Sequence, residues 1–112
     1  MKSISTPWGM SQTEEKICDG ATEYTTASHG GIHVRADLWQ KIKGAFPGFT
    51  PWAGLDGRGG AWLEEDCDTI LFHAVFPEYC RHDAGKVRDF ARRIYDGQFS
   101  ACVDKLPALA AA

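Results

Sequence analysis

The spacing of apolar and polar positions divides the chain into unequal stretches. Residues 1–12, with Pro7, Trp8 and Gly9, show little periodicity and predict an irregular arm. A large indole seeks burial, so Trp8 predicts that this arm folds back onto the domain. Glu15–Cys18 and Thr22–Ser28 are rich in Thr and Tyr and predict two strands. Asp19-Gly20 between them is a short hairpin signal, read as a type I′ turn with positive φ at both central residues. The step His29-Gly30-Gly31 turns the chain into a third predicted strand, Ile32–Val34, completing a small antiparallel meander.

From Arg35 the pattern becomes helical. Leu38, Trp39, Ile42 and Ala45 recur at helical spacing, and Gly44 with Pro47 ends the run. Residues 47–61 hold five glycines and two prolines and predict a long loop, which also carries Trp52. The segment Trp62–Phe76 predicts a second helix, with Leu63, Cys67, Ile70, Leu71 and Ala74 within about 100° of one another. Glu64, Glu65, Asp66 and Asp68 then sit where a helix N-terminus favours negative charge. Thr69–Phe76 is apolar almost throughout, so strand is the competing reading there. Asp83 predicts the cap of a third helix, with Val87, Phe90, Ala91, Ile94 and Tyr95 inward and Gly97 as its stop. A short fourth helix carries Phe99, Cys102, Val103 and Leu106 before a frayed Ala-rich tail at 107–112. The expectation is an α+β fold in one domain, 1–112, with three to four helices packed on one face of the meander.

Composition narrows the function classes. The 112 residues are 44% hydrophobic and 24% charged, the profile of a folded globular domain. Twelve Lys+Arg against fifteen Asp+Glu give a net charge of −3, which disfavours a general nucleic-acid-binding role. No apolar run approaches the roughly 18 residues needed to span a bilayer, and the first residues lack the apolar centre of a secretory signal. The expectation is therefore a cytoplasmic protein without membrane contact. The four cysteines, Cys18, Cys67, Cys80 and Cys102, are unevenly spaced and contain no C-x-x-C, so neither a disulfide scaffold nor a zinc ribbon is expected.

Several constellations carry candidate chemistry. Cys67, His29 and a neighbouring carboxylate supply the types of a thiol nucleophile, its base and an orienting group. Three carboxylates just before Cys67 oppose thiolate formation, and the wheel centres Cys67 on the apolar face, so a core cysteine is the competing reading. Cys67, His73, Cys80 and His82 are zinc-ligand types at a spacing of no known finger or knuckle. Gly54–Gly60 precedes the second predicted helix like a phosphate-binding loop, but lacks Lys-Ser/Thr and would deliver a phosphate onto acids. Arg88, Arg92 and Arg93 form the basic side of the third helix, interleaved with Asp89 and Asp96, and are the residues a DNA-binding role would use. No cofactor is expected.

Thr6-Pro7-Trp8-Gly9 with Ser11, the block Tyr24…Ser28-His29-Gly30-Gly31, Trp62-x-Glu64-Glu65-Asp66-Cys67, and Ala74-x-Phe76-Pro77 together resemble a small domain family of phages, plasmids and integrated elements. The likeness covers about residues 5–80. It implies a setting, accessory proteins of mobile elements in a bacterial host, and carries over no activity or catalytic residue. In that setting small acidic domains block host proteins by offering carboxylates to Lys- and Arg-rich grooves. The leading expectation is protein binding, as an inhibitor of a host defence complex of anti-CRISPR or anti-restriction type. Glu64, Glu65 and Asp68 would form the acidic face, with Trp62 and Trp52 as anchors. The alternatives are a Cys67/His29 hydrolase or transferase and a DNA-binding accessory factor. The partner and the oligomeric state are left open.

Overall fold

The structure, a computed structural model, describes residues 3–46, 48–65 and 68–79. Its centre is an antiparallel four-stranded meander in the order β3 (Thr13–Cys18), β4 (Ala21–Thr25), β5 (Gly30–Val34) and β6 (Ala61–Glu64). The Asp19-Gly20 turn joins β3 to β4 as expected, with Gly20 at φ +95°. No described non-glycine residue has positive φ, so Asp19 does not, and the expected type I′ geometry is replaced by one needing it at Gly20 alone. A bulge between Lys16 and Cys18 absorbs the shift in register.

Residues opposite one another on neighbouring strands share a face of the sheet. Ala21, Val34 and Ala61 form one such row, and Ile32 faces Leu63 in the next. All five are buried in the main core. Helix α1 (Ala36–Ala45) covers this face with Leu38, Trp39, Ile42 and Ala45, the stripe read from the sequence. Arg35 secures its start from outside, bonding Asp37 at 2.8 Å and reaching Asp19 in the hairpin turn. Helix α2 (Thr69–Val75) adds Leu71, Phe72, Ala74 and Val75 to the same core, and a 3-10 turn follows at Pro77–Tyr79.

Three expectations change. The helix expected over Trp62–Phe76 is a strand followed by a helix. Ala61 and Leu63 point inward and Trp62 and Glu64 outward, a period of two that β5 selects by pairing with this segment. Thr69–Phe76, the stretch with the competing strand reading, is where α2 forms. The common wheel of Leu63, Ile70, Leu71 and Ala74 therefore does not exist, nor does a helix dipole at Glu64 and Glu65. Second, the arm is not irregular throughout: β1 (Ser5–Thr6) and β2 (Gly9–Met10) form a small hairpin. Third, the described residues hold two α-helices in place of the three to four expected. The helices predicted from Asp83 and around Phe99–Leu106 lie outside the described residues, as does the tail. Among the described residues no helix is long and apolar enough to cross a membrane.

Candidate functional site

The sheet face turned away from the helices is built from Thr22, His33 and Trp62 in one row, and Glu14, Tyr24, Gly31 and Glu64 in the next. The N-terminal hairpin folds over it, as Trp8 predicted. Trp8 meets Trp62 edge-on, with ring centroids 5.8 Å apart, and lies directly above Gly31. A Cβ at Gly31 would come within 2.5 Å of the Trp8 ring and collide with the Leu63 carbonyl, so only glycine lets the indole settle there. Thr26 and Ser28 hydroxyls donate to the Trp8 carbonyl at 3.2 and 3.1 Å and tie the arm down. Tyr24 and His33 complete an aromatic cluster around Trp62, at 5.9 and 4.7 Å. Burial pushes the Tyr24 phenol above its usual range, and the nearby Glu14 charge adds to the rise.

Trp62 is thus a half-buried member of a packed cluster, while Trp52 is 83% exposed. The chain from Trp52 to Leu55 runs beside the outer edge of β6. The Trp62 amide donates to the Gly54 carbonyl at 3.1 Å, and Leu55 bridges to Ala61. Leu55 is also 63% exposed, so the loop presents two large apolar side chains to solvent.

Two carboxylates hold the ends of this segment. Asp68 is 4% exposed, and its Oδ2 accepts the Trp52 N–H at 2.9 Å. Burial pushes its carboxyl above the ordinary range; bonds from the Trp52 and Glu64 amides oppose the rise, and the Glu64 charge adds to it. At the other end, Asp56 Oδ1 accepts N–H groups from Arg58 at 2.7 Å and Gly60 at 2.9 Å, and its Oδ2 lies 2.7 Å from His33 Nε2. Burial works to raise the Asp56 carboxyl, but the His33 bond and the two amides outweigh it and hold it below the ordinary range. These amides are the donors a phosphate-binding loop would need, and the loop's own carboxylate occupies them. Gly54, Gly57 and Gly59 all hold positive φ, so the glycines serve turn geometry.

The expected acidic face is therefore divided. Glu64 is half-buried on the aromatic face, and Glu65 is exposed in the turn after β6. Asp68 is a buried staple. Among the described residues no lysine or arginine pairs with Glu64 or Glu65; Glu65 Oε1 lies 3.8 Å from His29 Nδ1, with both side chains about half exposed. His29 so meets a carboxylate, while Cys67, its expected nucleophilic partner, lies outside the described residues. Of the metal-ligand types, His73 sits in α2, and Cys67, Cys80 and His82 lie outside the described residues. Arg88, Arg92 and Arg93 do as well. No group of three His, Cys, Asp or Glu able to hold a metal occurs among the described residues.

Sequence reasoning missed His33, Asp56 and Leu55. Asp56 had a readable local signal, since an Asp followed two residues later by a free amide forms an Asx turn. Its bond to His33, 23 residues away, had none.

A family model described as "Domain of unknown function (DUF7007)" matches residues 1–109, and the chain belongs to that family. No curated protein and no solved structure matches the chain.

Proposed function

We propose that this member of the family is a protein-binding domain. It docks through the Trp52–Leu55 segment, with Glu64 and Glu65 as a charged rim, onto a basic surface of its partner. The observation that carries this reading is an indole 83% exposed on a segment that a buried carboxylate ties to the fold. Keeping an indole in water on a fastened loop forgoes the burial that Trp8, Trp39 and Trp62 obtain, and tryptophans so presented are the residues most enriched among interface hot spots. A fastened anchor also lowers the ordering cost of association. The carboxylates of Glu64 and Glu65, unpaired with lysine or arginine among the described residues, favour a positive counterpart and steer its approach.

The finer reading is that the partner is the Lys- and Arg-rich groove of a host defence complex, and that the protein inhibits it. Its support is the resemblance to mobile-element domains together with this local charge. Tagged protein exposed to host lysate tests both levels. A partner retained by wild type is expected to bind Trp52→Ala on the order of 30-fold more weakly, the effect of a 2 kcal/mol hot spot. Reversing Glu64 and Glu65 to Lys should slow association and remove much of its salt dependence. Equal retention by all three proteins would refute the docking surface.

A further inference from the structure

The Trp52–Leu55 segment leads into a closed loop. Asp56 N–H donates to the Gly60 carbonyl at 3.1 Å, while Asp56 Oδ1 gathers the amides of Arg58 and Gly60. Backbone pairing joins the base of this ring to β6, through the Trp62 N–H to the Gly54 carbonyl and the Leu55–Ala61 bridge, while the bonds within the ring do not reach the sheet. Among the described residues, the side-chain bond that ties the ring itself to the sheet is His33 Nε2 to Asp56 Oδ2 at 2.7 Å. His33 is placed for that purpose by β5, opposite Trp62, with the two rings 4.7 Å apart. The imidazole is 29% exposed and the carboxylate 12%, so water competes little for the shared bond.

We propose that His33 is a positioning residue for the docking segment: through Asp56 it locks the 56–60 ring to the sheet, a side-chain tie at the Leu55 end that complements the Asp68 tie at Trp52. The consequence for binding rests on the docking reading above; the lock itself does not. The aromatic cluster and the loop then share one strut. Trp62 orients the imidazole by packing, and the imidazole orients the carboxylate by hydrogen bonding.

Two substitutions separate packing from bonding. His33→Phe keeps a ring against Trp62 and removes the donor; His33→Gln restores an N–H at about the reach of Nε2. Amide hydrogen exchange in the full chain is the readout. Arg58 and Gly60 are expected to exchange about tenfold faster, or more, in His33→Phe. Phe46, whose amide bonds Ile42 at the end of α1, should stay near its wild-type rate. His33→Gln should bring Arg58 and Gly60 most of the way back. Unchanged rates at Arg58 and Gly60 in His33→Phe would overturn the lock. So would equal acceleration at Phe46, which reports general loosening, or a failure of glutamine to rescue.

Capture by an immobilised lysine homopolymer reads the consequence in parallel, with Trp52→Ala alongside. Weaker capture of both His33→Phe and Trp52→Ala supports positioning of a docking loop. If His33→Phe loosens the loop but Trp52→Ala is captured like wild type, the docking reading fails while the lock stands.

Discussion

Trp62 and Trp52 lie on adjacent, hydrogen-bonded stretches of backbone and have opposite fates. Around Trp62 the aromatic groups satisfy one another: Trp8, Tyr24 and His33 surround the ring, and the N-terminal hairpin closes over it. Around Trp52 the backbone is tied and the side chain is left in water. The same residue type, after Pro51 in a loop and after Ala61 in a strand, is available in the first place and structural in the second. What separates them is whether another part of the chain arrives to cover the ring. Composition cannot distinguish the two, because that depends on long-range partners such as Gly31 beneath Trp8.

Deleting each ring should separate the two tryptophans most strongly. Trp62→Ala should destabilise the fold by about 3 kcal/mol, as large-to-small substitutions in packed clusters do. For a domain of this size that lowers the thermal midpoint by more than 10 °C. Trp52→Ala should leave the stability within about 0.5 kcal/mol of wild type, since it removes exposed surface. A comparable loss at both positions would mean that Trp52 is held by contacts of its own. Next in size, Gly31→Ala forces Trp8 off the sheet and should cost about 2 kcal/mol, read by chemical denaturation. Tryptophan fluorescence should shift to the red as Trp8 and Trp62 become wetter.

The two carboxylates that fasten the loop respond oppositely to pH, because their shifts have opposite signs. Asp56 is held below the ordinary carboxylate range, so its ionised form favours folding. That contribution is complete above the ordinary value and is lost as pH falls through the lowered one. Asp68 is raised by burial, so its ionised form opposes folding. The penalty is absent below the ordinary carboxylate value, grows up to the raised one, and persists at neutral pH. Asp56→Asn should therefore be less stable than wild type at pH 7 by about 1 kcal/mol, with the gap closing in acid. Asp68→Asn keeps an oxygen for the Trp52 amide and should be at least as stable as wild type at pH 7, its advantage shrinking toward pH 4. Thermal midpoints across pH 3–8 check both; parallel profiles for the two variants would contradict the assigned environments.

Local signals carried much of the fold. The stripe Leu38, Trp39, Ile42 and Ala45 is visible in any window of the sequence, and so are the Asp19-Gly20 turn and the run of glycines in the long loop. The strand Ala61–Glu64 was hidden because Trp62, the solvent-side residue, is itself apolar, which erases the alternation. Four acids among the five residues 64–68 then imitated a helix start. The candidate site was legible in type and not in placement. Glu64, Glu65, Asp68, Trp62 and Trp52 were all singled out, but only a folded chain shows that Asp68 turns inward to Trp52 N–H. His33 and Asp56 escaped altogether, since their partnership exists only through the pairing of β5 with β6 and the return of the loop.

In the proposed function Trp52 anchors the docking surface and Trp62 does not. The most direct measurement compares wild type, Trp52→Ala and the α1 surface variant Lys41→Ala as baits in one cell lysate, after each has been shown to keep its thermal midpoint. The account predicts a stoichiometric partner held by wild type and Lys41→Ala and lost from Trp52→Ala. A partner held equally by all three would contradict it.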